Sequence, residues 1–464
     1  MLMGQEFRIA RDSLGEVRVP ADAYYGAQTE RARHNFPISG LRLQPRFIRA
    51  QGIIKRAAAI ANRDVGELDP SLAAAIIAAA EEVIEGKFND QFVVDVYQAG
   101  AGTSQNMNAN EVIANRACEL LGGERGDTSL VHPNDHVNMA QSTNDTIHVA
   151  MNIAAIEAIT HDLLPNLLHL EEALFKKANE WDGIVKSGRT HLQDAVPMRL
   201  GQEFGGYANA LKMRREMLQQ VSERLLVIGL GGNAVGTGIN AHPDYSEKAI
   251  AEVARFTGLP FRKPDNYFTF VQNPDTAVEV SGQLRALATT LMKIANDIRL
   301  LSSGPRTGLA EIRLPAVQPG SSIMPGKVNP VLPEMMNMIC YQVFGCDVTV
   351  ASAGSASQLE LNVMMPVIAY NLLHAIQILG TGVRAFTDKC IVGMQANEER
   401  CRYYAEMSTS VATALNPLIG YDRAAEIAKK AYAENKTVRE IAKAEGLTEE
   451  QLANYLNLRR LTGK

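Results

Sequence analysis

A chain of 464 residues has room for roughly three structural units and for a core that needs neither disulfides nor a structural metal. Its 46% apolar and 21% charged composition argues against disorder, and a formal net charge of −5 without long blocks of one sign argues against nucleic acid or anionic lipid as the main partner. Five cysteines without a CxxC pair point to buried thiols in a reduced, cytoplasmic setting, and the charged start MLMGQEFRIARDSLGE lacks the apolar stretch of a signal peptide.

Taken in chain order, residues 1–140 read as a mixed, mainly helical domain, with an alanine-rich helix over Ser71–Glu85 and a loop dense in small and amide residues over Gly100–Asn110. Residues 141–396 read as a central domain of long helices. Its first helical stretch covers about 146–179, with Pro165 expected to kink or divide it. A seam through Phe204, Tyr207, Leu211, Leu218, Val221, Leu225 and Ile228 is broken by Arg214 alone. A second runs Ala277, Val280, Leu284, Leu287, Leu291, Ile294, Ile298 and Leu301, a heptad repeat that predicts a rod of about 37 Å. Such rods pack side by side at small crossing angles, so the expected architecture is a bundle.

Leu361–Val383 carries no charge and is long enough to span a bilayer. Its Asn, His, Gln and Pro residues, and the lack of a second such segment, favour a buried core helix instead. A single chain would struggle to cover it all round, so further copies of the chain are expected to complete the bundle. Residues 397–464 form a small helical domain, with a capping box at Thr448–Gln451 and no basic face for DNA.

Four segments are more polar than a core would be: Gly100–Asn108, His132–Asp145, Gly188–Asp194 and Gly320–Pro330. They offer hydroxyls, amides, His191 and Lys327 among flexible Gly/Pro turns, equipment for holding a small anion with several carboxylate oxygens. Nearby motifs do not compete. Gly320–Lys327 spaces its glycines by five residues and has Val328 where a phosphate loop needs Ser or Thr. Gly229–Gly238 lacks GxGxxG spacing, and His132 and His136 flank a turn rather than a zinc site. Ser321 and Ser322 lack the strand–turn–helix context of a serine nucleophile and have an ordinary alternative as turn residues. Thr143 and Asn144 have theirs as helix caps, and His191 as a satisfied buried histidine that Glu334 would orient.

GSSIMPGKVNP (Gly320–Pro330) closely resembles the signature loop of the aspartase/fumarase superfamily, whose members eliminate fumarate from a substituted succinate. The other polar segments match in the same order, joined by NANEVIANRA (Asn108–Ala117), SGPRTGL (Ser303–Leu309), ELNVMMPV (Glu360–Val367) and the tail ALNPLIGYDRAAEIAKKA (Ala414–Ala431). The resemblance implies a mainly α, three-segment fold whose central bundle is completed by tetramerisation, with active sites shared between subunits. It implies a small dicarboxylate substrate, and no cofactor, metal, nucleic acid or membrane. Ala101 before Gly102-Thr103, Ser142-Thr143-Asn144, QDAVP (Gln193–Pro197) and NPVLPE (Asn329–Glu334) lean towards the aspartase side. GGNAVGTGINAHP (Gly231–Pro243) and LGQEFGGY (Leu200–Tyr207) lean towards class II fumarase, and Ile147-His148-Val149 fits neither pattern.

By the same resemblance, Ser321 is the base that takes the Cβ proton, giving an aci-carboxylate intermediate. Thr103, Ser142, Thr143 and backbone groups near Ser322 hold the β-carboxylate; Lys327, Asn329 and Thr190 hold the other. Asn144, Thr190 and His191 meet the leaving amino group. The implied activity is ammonia elimination from L-aspartate, with malate dehydration and a non-catalytic helical assembly as the alternatives.

Overall fold

The computed structural model describes residues 6–463, so the first five residues of the charged N-terminal stretch lie outside it. The chain is mainly helical, and its few strands pair as short two-stranded antiparallel sheets. The described residues divide into two compact units. One comprises the chain up to Leu164 with Glu216–Ala286 and Tyr341–Leu379; the other comprises Pro165–Arg215, Leu287–Cys340 and the chain from Gly380 onward.

The heptad reading is realised in helix Asp275–Leu301, 27 residues long, whose eight seam residues are all buried. Helices Leu200–Ser222 and Val331–Gly354 are of similar length. Phe204, Leu211, Leu218, Leu225 and Ile228 of the other seam are buried too, whereas Arg214 is partly exposed where the pattern breaks. Pro165 does not break its helix. Thr143–Ala158 passes through a π turn at Ile159–Leu163 into Leu164–Glu180. The wider turn accommodates a ring that would otherwise crowd the preceding carbonyls.

Two expectations change, the loop over Gly100–Asn110 and the start of the uncharged helix, while the partial cover of that helix by one chain is as expected. Gly100–Asn110 is not a loop: after one tight turn, Thr103–Leu120 is an 18-residue helix. Its amides fasten backbone from other segments. Asn108 accepts from the Val93 amide at 3.0 Å and donates to the Gln91 carbonyl at 2.9 Å, while the Gln98 side chain in turn accepts from the Gln105 backbone N–H at 2.8 Å. Tertiary hydrogen bonds override the modest helix propensity of asparagine here. The uncharged stretch Leu361–Val383 becomes helical only at Met365 and is not covered all round. Ile368, Leu372, Ile376, Leu379 and Val383 are buried, while Gln377 and Thr381 are exposed and Tyr370 and His374 half-buried. Among the described residues, Met365–Ile391 is one helical run long and apolar enough to cross a membrane, and 61% of its most apolar window is buried.

The first unit has an alanine-rich core in which Ala73, Ile76, Ala79 and Ala80 of helix Pro70–Ile84 meet Val112, Ile113 and Ala117 of helix Thr103–Leu120. The C-terminal helices bury Leu415, Ile427, Val438, Ile441 and Leu452 in a small core of their own. The capping box at Thr448–Gln451 is present, with a second at Thr437–Glu440. All five cysteines are free and buried.

Candidate active site

In the first unit, two helix N-termini carry Thr103 and Ser142–Asn144. Ala101 and Gly102 both adopt left-handed backbone angles (φ 61° and 85°), turning the chain into Thr103, whose side chain is exposed. The turn is pinned by the Ala101 amide, which donates to the Val363 carbonyl at 2.8 Å, and it rests on Ile147. A Cβ on Gly102 would lie 3.1 Å from Ile147 Cγ1, so the unusual Ile147 forms the floor under this turn. Unpaired amides at a helix start favour an anion.

Ser142 is the cap of helix Thr143–Ala158: its Oγ accepts from the Asn144 amide at 3.2 Å, and its own amide donates to Asp145 Oδ1 at 2.9 Å. Asp145 Oδ2 accepts from Gly231 and Asn233, both at 2.9 Å, tying the glycine loop to this helix. Burial pushes the Asp145 carboxyl up to about 6 against these amides. Thr143 Oγ1 accepts from Asn106 Nδ2 at 3.2 Å, joining the two helix starts. Asn144 Nδ2 donates to the Ala234 carbonyl at 2.7 Å. A carbonyl only accepts, so this bond fixes the amide orientation and leaves Asn144 Oδ1 as an acceptor.

His148 lies one turn further along. Its Nδ1 is 3.0 Å from the Asn144 carbonyl and therefore carries the proton, while Nε2 is buried without a partner beside Gly229. Burial holds this imidazole down to about 4. The folded state thus keeps it neutral where an unfolded chain would protonate, so its contribution to stability is full above pH 6.5 and is lost as pH falls through about 4. The loss is about 3 kcal/mol. We expect His148→Gln to flatten the acid limb of denaturation midpoints between pH 7 and pH 4, and equal limbs in the two proteins would refute this account.

In the second unit, strands Val185–Thr190 and Gln193–Arg199 form a hairpin closed by His191 and Leu192, at φ 55° and 59°. A two-residue hairpin turn demands this conformation, which neither side chain favours; such strain persists at sites with a function. Thr190 and His191 are exposed at the tip. The strand below is anchored by a buried ion cluster. Lys186 Nζ lies 2.6 Å from Glu203 and 2.8 Å from Glu311, and Arg189 Nη1 lies 2.9 Å from Glu311. Burial pulls the Lys186 ammonium down, but the two carboxylates outweigh it and hold its pKa above the usual value.

The signature loop is closed at its neck by the Gly320 amide donating to the Lys327 carbonyl at 2.8 Å and by Asn329 Nδ2 donating to the Gly320 carbonyl at 2.7 Å. A Cβ on Gly320 would come within 2.5 Å of the Lys327 carbonyl oxygen, so only glycine fits. Ser321 Oγ accepts from the amides of Ile323 at 3.2 Å and Met324 at 3.0 Å. These bonds suit a turn serine, and they also stabilise charge on the oxygen. Ser322 and Lys327 are exposed, and Lys327 makes no ion pair among the described residues. It lines a cavity of about 590 Å³ with Asn329, Arg299, Ser303, Arg313 and Asn397. Glu334, in the first turn of helix Val331–Gly354, makes no hydrogen bond to His191 within the described chain.

Thr103, Ser142, Thr143 and Asn144 thus come together in the first unit. Thr190 and His191 share a hairpin tip in the second, and Ser321, Ser322, Lys327 and Asn329 share one loop there. Sequence reasoning missed Lys55, whose buried ammonium bonds three amide oxygens, and the Lys186–Glu311–Arg189 cluster. The signal available was charge set inside an otherwise apolar run, Lys55 beside Arg56 in GIIKRAAAIAN and Glu311 near Arg313 in GLAEIRLP. His132 and His136 spend their Nδ1 atoms on backbone amides of the π turn at Pro133–Val137, and no group of three or more His, Cys, Asp or Glu suited to a metal occurs among the described residues.

A lyase family model matches residues 15–345, and a fumarase C C-terminus model matches residues 411–463. The chain is 50% identical to an aspartate ammonia-lyase of Bacillus sp., over 99% of this chain and 98% of that protein. It is equally 50% identical to a class II fumarate hydratase of Thermosynechococcus vestitus, over 100% of this chain and 99% of that one. Among solved structures, a fumarate lyase/delta crystallin from Brucella melitensis matches with a TM-score of 0.95 at 48% identity, covering 99% of this chain and 100% of that one. A class II fumarase from Schistosoma mansoni matches with the same TM-score at 38% identity, covering 98% and 99%.

Proposed function

The chain belongs to the aspartase/fumarase superfamily of lyases, and from that premise we propose that it eliminates ammonia from L-aspartate to give fumarate. The observation that carries the choice is Asn144. With Nδ2 committed to Ala234, it offers the leaving group an acceptor. A departing ammonium group only donates and matches it; a departing hydroxyl can donate to it as well but must also gain a proton, which Asn144 does not supply. Equal identity to fumarate hydratases, and the fumarase-like Gly231–Pro243 segment, make malate dehydration the second reading.

In this reading Thr103, Ser142 and Thr143, with backbone groups near Ser322, hold the β-carboxylate, while Lys327, Asn329 and Thr190 hold the other. Ser321 Oγ, as an alkoxide steadied by the Ile323 and Met324 amides, takes the Cβ proton. The C–H electron pair moves into the β-carboxylate as an aci-carboxylate. It then returns to form the carbon–carbon double bond as the Cα–N bond breaks and ammonia departs beside Asn144 and His191. Glu334 orients His191 from another copy of the chain. The working unit is a homotetramer with sites shared between subunits, supported by the exposed Met338, Tyr341 and Val348 along helix Val331–Gly354 and by Ile323 at the loop tip. The buried, unpaired thiols suit a reducing cytoplasm. The purified protein is expected to raise fumarate absorbance from L-aspartate and not from L-malate. Malate turnover without aspartate turnover would replace this reading with the hydratase, and turnover of neither would reject both.

A further inference from the structure

Lys55 is sealed inside the first unit at 1% exposure. Its three N–H donors are all spent at 2.9 Å, on Asn106 Oδ1, Asn138 Oδ1 and Gln141 Oε1. No carboxylate bonds it; Asp145 is the charged group that acts on it through space, and its ammonium is pulled down to about 7 by burial. A buried cation satisfied only by neutral amides is an expensive way to fill a core, so its use there calls for a reason.

The reason lies in which way the amides point. Asn138 and Gln141 are also fixed from their nitrogen ends, by the backbone carbonyls of Gln141, Val137 and Met139. Asn106 has no carbonyl on its nitrogen. Its Nδ2 donates instead to Thr143 Oγ1 and Asn138 Oδ1, both at 3.2 Å, and its Oδ1 is held by Lys55 and, at 3.3 Å, by the Thr146 hydroxyl. A lysine ammonium can only donate, so it forces Oδ1 inward and Nδ2 outward. An outward Nδ2 can only donate to Thr143 Oγ1, and that leaves the Thr143 proton to be given elsewhere.

We propose that Lys55 is a positioning residue: through Asn106 it sets the polarity of the Thr143 hydroxyl, keeping its proton available to a substrate carboxylate. The relay rests on the reading above that Thr143 holds that carboxylate. It does not depend on which group leaves, because fumarate is common to both reactions. Without the ammonium, Asn106 keeps only the longer bonds to Asn138 Oδ1 at 3.2 Å and the Thr146 hydroxyl at 3.3 Å, and each time it turns over the Thr143 hydroxyl donates back into the protein.

The test is the fumarate dissociation constant of the full-length protein, measured by calorimetry. Loss of one hydrogen bond to a charged group predicts that Thr143→Val, Lys55→Met and Asn106→Asp each weaken binding roughly tenfold or more. Asn106→Asp keeps the core filled and pairs its carboxylate with Lys55, but it accepts from Thr143 where asparagine donates, so it carries the test even where Lys55→Met fails to fold. The Lys55→Met/Thr143→Val double variant is expected to bind within about twofold of Thr143→Val alone, because both changes remove one donor. A merely structural lysine would instead multiply the two losses, and that result overturns the relay. Wild-type affinity in Asn106→Asp also overturns it while leaving the role of Thr143 standing. Wild-type affinity in Thr143→Val removes the carboxylate reading, and the relay with it.

Discussion

Ser321→Ala is expected to lower kcat by roughly 10²–10⁴-fold, the usual contribution of a positioned base, with little change in helix content. The oxygen removed is the one that accepts from the Ile323 and Met324 amides, an arrangement that lowers the cost of an alkoxide. The loop survives because its neck is closed elsewhere, by Gly320 with Lys327 and by Asn329 with Gly320. Neighbouring Ile323 and Met324 are exposed, so no core depends on the serine. Fumarate release in the ultraviolet and far-ultraviolet circular dichroism measure the two halves of the claim. Turnover near wild type would remove Ser321 from the role of base.

The second large effect is expected at Glu311, which is fully buried and pairs with both Lys186 and Arg189. Glu311→Gln leaves one carboxylate, Glu203, against the buried Lys186 and the partly buried Arg189, and breaking such a cluster costs about 3–5 kcal/mol. The damage should not stop at stability. Arg189 immediately precedes Thr190 and His191, whose hairpin turn already holds two side chains in left-handed geometry, and an unanchored strand would let that turn relax. Denaturation midpoints and fumarate formation should therefore fall together. A variant that loses stability but keeps full kcat when folded would make the cluster structural only.

The long seam of Asp275–Leu301 was legible because a repeat of alternating three- and four-residue steps has one physical solution, an apolar stripe that must be buried. The signature loop was legible from its motif, and two residues of that motif, Gly320 and Asn329, are needed by the closed neck. Helix Thr103–Leu120 was not. Its amides look like loop residues one at a time, and the use of Asn108 as a fastener to Val93 and Gln91 is set by other parts of the chain. Lys55 and Glu311 were hidden for a related reason. A charge in an otherwise apolar run carries no local sign of whether it faces water or a partner remote in sequence, and here Arg56 and Arg313 stand close beside them. Asn144 shows the limit most clearly: its position was readable, but which end of its amide is free depends on the Ala234 carbonyl, ninety residues away.

The five buried thiols make the folded chain chemically quiet towards alkylating reagents. Burial pushes the thiols of Cys340, Cys390 and Cys401 up to about 12, so the reactive thiolate is scarce even where a reagent could reach it. Cys118 and Cys346 belong to the first compact unit, and the other three to the second. Each unit therefore carries native clocks of its own opening, and the order in which the five sulfurs are labelled during slow alkylation records which unit breathes first, with no engineered probe.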